Sequence, residues 1–222
     1  SETIRFVSNR RNGEFKMFRM RADKVQAFNP EVYDVFSKIL MRNVAKMKDF
    51  CNVLTENNSE SSVTVYNNNV CSLSDVEDDT YDLIITSPPY GDSRTTVAYG
   101  EYSRLSLQWI NLFDLSEKEI MGVDKSLMGG KKYRNGFEFV LCSETLRASL
   151  DAIKDADIER AGDVYSFYAD LDAALCSVAR KTKSGGYQFW VVGNRTVKNE
   201  LLQTDAIITE LAPQYGLVPV YT

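Results

Sequence analysis

Tyr81-Asp82-Leu83-Ile84-Ile85-Thr86, running into Ser87-Pro88-Pro89-Tyr90, is the stretch that decides the fold. Leu83–Thr86 is an unbroken run of apolar and β-branched residues, which predicts a strand buried on both faces of a parallel sheet. The four residues after it predict a stiff exit. Each proline fixes its own φ and biases the residue before it away from helix. Proline also has no N–H, so the corner offers carbonyl acceptors with few competing donors. Tyr90 adds a flat aromatic face. Ligands of parallel α/β sheets bind outside the carboxyl ends of the strands. Ser87, Pro88, Pro89 and Tyr90 are therefore the candidate site.

Upstream, residues 1–28 are polar, basic and irregular, and form a separate N-terminal segment in this reading. Arg5, Arg10, Arg11, Lys16, Arg19, Arg21 and Lys24 lie close together there, either as a solvated face or as phosphate contacts. Asn29-Pro30 suits the start of a helix, as N-cap and first helical residue. Val32, Phe36, Leu40, Val44, Met47 and Phe50 follow at helical spacing, a stripe expected to be core. Val63-Thr64-Val65-Tyr66 has strand propensity.

Downstream of the corner, Gly91–Thr96 is a polar loop beside the site, so Asp92, Ser93 and Arg94 are candidate substrate contacts. Tyr102–Ile110 has a helical pattern. Ser116 with Glu119 three residues on is a capping box at the start of another helix. Residues 113–160 form a loop-rich insertion carrying Gly129-Gly130-Lys131-Lys132 and Asn135-Gly136, with a helical pattern from Ser143 to Ala156. Asp163 caps a helix to about Lys183, whose face includes Val164, Phe167, Tyr168, Leu171, Leu175 and Val178. Tyr187–Val192 is a strand, and Asn194 and Arg195 at its carboxyl end are further candidates for the pocket. A helix over Lys198–Ala212 and a strand over Leu217–Tyr221 complete the pattern. Alternating helices and strands predict an α/β fold with a mostly parallel sheet.

Composition narrows the function. The chain has 222 residues, 44% hydrophobic and 26% charged, which is ordinary for a soluble domain. No run is long and apolar enough to cross a membrane, and Ser1-Glu2-Thr3-Ile4-Arg5 lacks the apolar core of a signal peptide. Cys51, Cys71, Cys142 and Cys176 are scattered, without a Cys-x-x-Cys pair, which points to reduced thiols and a cytoplasmic setting. There is no histidine, which excludes Ser-His-Asp catalysis and His-ligated metals, and no metal site is expected. A net charge of −5 is not the footprint of a free-standing DNA-binding domain.

The segments Val63–Leu73, Tyr81–Tyr90, and Ser184-Gly185-Gly186-Tyr187 with Val191-Val192-Gly193-Asn194-Arg195 together resemble the bacterial DNA amino-methyltransferases. The likeness extends to Arg11–Lys16 and covers most of residues 10–222, so 29–222 is expected to be the catalytic portion. It implies a Rossmann-like fold dependent on S-adenosylmethionine, with DNA as partner and a flipped-out base as target. The serine at position 87 tilts that target to N4 of cytosine over N6 of adenine. In this reading Ser87 and the Pro88 carbonyl accept from the exocyclic amine, whose lone pair is otherwise conjugated into the ring, and Tyr90 stacks on the base.

One family feature is missing. The cofactor loop, Phe-x-Gly-x-Gly after a strand, has no counterpart, because the chain holds no Gly-x-Gly at all. The chain is accordingly expected to be part of a larger enzyme, with its sheet incomplete at both ends and the cofactor half supplied by a further segment or a second chain. The alternative is a non-catalytic DNA-binding or specificity subunit of a methyltransferase complex.

Overall fold

The computed structural model describes residues 1–10, 18–57, 61–92, 99–110, 114–133 and 137–220. They fall into two compact units: Ser1–Val65 with Tyr99–Gly122, and Tyr66–Ala98 with Val123–Thr222.

The first unit is helical. It holds α1 (Glu2–Val7), α2 (Ala22–Val25), α3 (Val32–Glu56), α4 (Tyr99–Ile110) and the start of α5 (Glu117–Ser126). The N-terminus of α5 is closed as its sequence predicts. Ser116 N–H donates to the Glu119 carboxylate at 2.9 Å, and Glu119 N–H donates to Ser116 Oγ at 3.3 Å, satisfying two donors the helix leaves over. Short α1 lies against α3 and α4. Its Arg5 is buried, with the guanidinium over the Tyr102 ring at 3.3 Å, and buried Arg10 donates to the Arg5 carbonyl at 3.1 Å. Two of the early cations are thus packed inside this unit. Arg19, Arg21 and Lys24 are exposed, while Arg11 and Lys16 lie outside the described residues.

Two expectations fail in this unit. Helix α3 begins at Val32 with Glu31 at its N-cap, and no side chain caps it. Pro30 and Asn29 stay outside. More consequentially, α3 buries none of its residues: Val32, Phe36, Leu40, Val44, Met47 and Phe50 are all exposed. The apolar stripe is present as a pattern, but a stripe is buried only where another element lies on it, and α1 spans a fraction of its length.

The second unit is mixed α/β. It holds β1 (Tyr81–Thr86), α6 (Glu144–Ala156), α7 (Ile158–Lys181), β2 (Thr182–Trp190), β3 (Arg195–Val197), β4 (Glu200–Leu202), α8 (Thr204–Leu211) and a 3₁₀ turn over Ala212–Tyr215. Its core is the α6–α7 pair closed by α8 and the β3–β4 hairpin. Leu146, Leu150 and Ile153 meet Val164, Phe167, Leu171 and Leu175, with Leu202, Ile207 and Leu211 behind them. The Tyr168 hydroxyl is satisfied by Thr204 Oγ1 at 2.9 Å.

The capping residue of α7 is Asp157, which accepts from Arg160 N–H at 3.0 Å, in place of Asp163. One residue separates α6 from α7, so the helix starts as soon as a side chain can take its first free N–H groups. Strand β2 then follows α7 with no loop, and its register against β1 slips around Gly185 (φ +78°).

The parallel sheet is short. Strands β1 and β2 pair in parallel, while β3 and β4 form a separate antiparallel hairpin. Val63–Tyr66 is not a strand. Val63 and Val65 are 87% and 88% exposed, because propensity forms no strand without a neighbour to pair with. Residues 217–220 are not a strand either, and Tyr221 lies outside the described residues. The expected helix start at Lys198 is instead the turn of the β3–β4 hairpin, with φ of +51° at Lys198 and +67° at Asn199. Two consecutive positive φ values match the twist of a tight hairpin. The run Leu83–Thr86 is also less buried than a doubly covered strand. Leu83 and Ile85 are exposed, as are Tyr187 and Phe189 on β2. One face of the ribbon is therefore uncovered in this unit.

Candidate active site

The parallel pairing brings two strand exits side by side. Thr86 lies opposite Trp190, and Val191 N–H donates to the Thr86 carbonyl at 2.9 Å, carrying the ladder one residue past β2. From there one chain turns through Ser87-Pro88-Pro89-Tyr90 and the other through Val192-Gly193-Asn194.

Ser87 is exposed and Pro88 and Pro89 are half-buried. Ser87 Oγ lies 3.4 Å from the Tyr90 hydroxyl, at the long limit of a hydrogen bond. The Tyr90 ring is 45% exposed and rests on Gly193. A Cβ at Gly193 would come within 3.3 Å of the ring carbon Cγ of Tyr90. A glycine there lets the aromatic ring lie on the backbone of the neighbouring exit. Asn194, one residue on, is exposed.

Asp92 and Arg195 are placed differently from open substrate contacts. Asp92 is fully buried, and its Oδ2 accepts from Arg195 at 3.2 Å and from Arg160 at 3.3 Å. The Arg195 guanidinium also sits 5.4 Å from the Phe167 ring centroid, a cation–π distance. Arg160 reaches Asp163 at 3.4 Å as well. Gly129 also lies against Asp92, at φ +73°, where an added Cβ would be 2.7 Å from the Asp92 Cβ. The Gly129 N–H donates to Asp170 at 2.8 Å. Burial pushes the Asp170 carboxyl up from its ordinary pKa, against the opposing pull of that N–H and of Lys131. Ser93 and Arg94 lie outside the described residues.

Arg160, Phe167, Gly129 and Asp163 are the neighbours that sequence reasoning missed. Arg160 is 68 residues from Asp92 and sits near the start of an ordinary amphipathic helix, so nothing local marks it. Gly193 had a signal, a small residue directly after an apolar strand, where close backbone approach is common.

The arrangement offers an exposed hydroxyl, prolyl carbonyls without companion donors and an aromatic plate. That is equipment for accepting hydrogen bonds from a flat amine and for stacking on its ring.

The whole of the chain is similar to a type II methyltransferase. It is 41% identical, over an alignment of 229 residues, to the type II methyltransferase M.MvaI of Kocuria varians. The alignment takes in 100% of this chain and 50% of that protein, so the chain spans about half the length of the curated relative it matches. No family model matches the chain, and no solved structure matches it.

Proposed function

We propose that this chain carries the base-handling corner of an S-adenosylmethionine-dependent DNA methyltransferase of Rossmann-like fold, acting on N4 of a flipped-out cytosine. The observation that carries the reading is the Ser87–Tyr90 corner, open at the carboxyl ends of two parallel strands with its aromatic ring seated on Gly193. The likeness to a type II methyltransferase along the whole chain supports it.

In this reading the exocyclic amine donates to Ser87 Oγ and to the Pro88 carbonyl. Both acceptors favour a localised nitrogen lone pair, which is more developed in the transition state than in the ground state. The exposed part of Tyr90 stacks on the extruded base, repaying part of the cost of unstacking it. Asn194 borders the same opening, and Ser93 and Arg94 follow the corner in sequence, where they would reach the base or its neighbours. Arg195 and Asp92 stand behind the corner.

S-adenosylmethionine is the methyl source this class implies. The residues here do not fit its usual cradle, since no Gly-x-Gly occurs in the chain. No residue of this chain is assigned to the cofactor. A further segment or a second chain would supply that half.

The test is transfer of labelled methyl to DNA by the complete enzyme, followed by identification of the methylated base. The expected product is N4-methylcytosine. Ser87→Ala should lower turnover on the order of 100-fold, as loss of one preorganised hydrogen-bonding group at a transition state does elsewhere, and Tyr90→Ala should lower it through lost stacking on the extruded base. N6-methyladenine as the product would overturn the choice of base. The absent cofactor loop also favours a second reading, a non-catalytic subunit paired with an active methyltransferase. Activity of such a complex that is indifferent to Ser87→Ala would decide for it.

A further inference from the structure

The two strand exits are tied together twice, at matching intervals. The first tie is the Tyr90 ring on Gly193. The second comes two residues later on each chain, where Asp92 meets Arg195 at 3.2 Å. Helix α7 joins that second tie through Arg160, 3.3 Å from the same Oδ2 atom, and Asp163 stands 3.4 Å from Arg160. Two guanidinium groups thus face two carboxylates. Gly129 lies directly against Asp92, with no room for a side chain between them, and the Phe167 ring is 5.4 Å from the Arg195 guanidinium. With its side chain 1% exposed, Asp92 has no surface to offer DNA.

We propose that the buried Asp92–Arg160–Arg195 cluster is a clamp that fixes the Ser87–Tyr90 corner against the β2 exit, and that Asp92 is a positioning residue acting through it. The inference rests on the proposed function for its catalytic consequence, though not for the clamp itself. Stability alone is a poor reason for the charges, because a buried ion pair contributes little more than well-packed apolar groups of the same volume. What ion pairs add is direction. Guanidinium groups on two different elements, converging on one oxygen, determine where the chain lies two residues after Tyr90. A displacement of about 1 Å at a reacting group costs on the order of 100-fold in rate.

The experiment uses the complete enzyme and reads two things. The first is hydrogen exchange at the amide of Val191, which ties the two exits by donating to the Thr86 carbonyl at 2.9 Å and whose exchange needs no activity. Asp92→Asn should speed it by at least about tenfold, because local opening becomes easier, while exchange within α6 stays at the wild-type rate. The second is kinetic. Asp92→Asn should lower kcat on the order of 100-fold and leave DNA affinity unchanged. Arg160→Gln, which leaves Asp92 paired with Arg195, should give smaller changes of the same kind, and Arg160→Lys should restore part of the loss. If Asp92→Asn does not fold, Arg160→Gln is read in its place.

Wild-type exchange at Val191 in a folded variant would overturn the clamp. So would a loss confined to DNA affinity, which would make Asp92 a contact residue. Faster exchange with unchanged kcat would overturn the positioning role. If the wild-type enzyme transfers no methyl group, the proposed function fails, and the exchange measurement still decides the clamp.

Discussion

Helices α3 and α7 are nearly the same length, 25 and 24 residues, and both carry an apolar stripe at helical spacing. Their fates are opposite. Helix α7 buries 13 residues, among them Phe167, Tyr168, Leu171 and Leu175. Helix α3 buries none. Amphipathicity states that a face is suited to cover, and it is silent about whether cover exists. Within its unit α7 packs on α6, the 3₁₀ turn and β2, and its Tyr168 reaches Thr204 of α8. Among the described residues of its own unit, the main packing partner of α3 is the six-residue α1, along part of its length.

The difference becomes energetic on substitution, and the largest effect is expected in α7. Leu171→Ala removes a side chain with no exposure and should cost roughly 2–5 kcal/mol, the range for cavity-forming changes in a packed core. Urea unfolding followed by circular dichroism measures it. Next comes the joint between α6 and α7. Asp157→Ala deletes the cap of α7 and should cost about 1 kcal/mol, read in the same titration. A cost near zero would mean that packing alone holds that end.

A smaller, pH-dependent effect sits at the other end of α6. Burial alone would raise the Glu210 carboxyl, but hydrogen bonds from Ser143 and Thr145 outweigh it and hold its pKa below the usual value. A carboxyl lowered by folding adds stability above its unfolded pKa of about 4.3 and loses it as pH falls through the lower folded value. Glu210→Gln should therefore flatten the acid side of the stability profile below about pH 5 and leave its alkaline side unchanged. An acid limb as steep as the wild type's would remove Glu210 from that account.

The smallest change is expected in α3. Leu40→Ala, at a position 45% exposed, should alter the stability of this chain by no more than about 0.5 kcal/mol. This substitution is also the sharpest challenge to the comparison. A cost equal to that of Leu171→Ala would show that something covers α3 in solution.

Much of the site was legible because it is local. The corner Ser87–Tyr90 follows from proline chemistry and from the apolar run before it, with no need of distant partners. A mostly parallel sheet was readable too, whereas the pairing of Leu83–Thr86 with the strand ending at Trp190 came from the structure. The capping box at Ser116 and the helix from Ser143 to Ala156 are matters of side chains three and four residues apart. Failures came where the outcome depends on a neighbour. Val63–Tyr66 has strand propensity and no strand beside it. Lys198 and Asn199 have ordinary helical propensities, yet sit in a tight turn because Arg195–Val197 pairs with Glu200–Leu202. Asp92 looked like an open loop residue because Arg160, which takes its charge, is 68 positions away.

Sequence by itself determined the chemistry of the corner: which atoms can accept, which cannot donate, and how stiffly the backbone turns. Those properties belong to the covalent structure and to backbone dihedrals, so they are present wherever the chain goes. Only the tertiary structure decided that the Tyr90 ring lies on Gly193, that Asp92 is enclosed between two arginines, and that α7 is covered while α3 is not. Burial and ion pairing are relations between segments far apart in the chain, and their energies exist only once folding has brought the partners within a few ångströms.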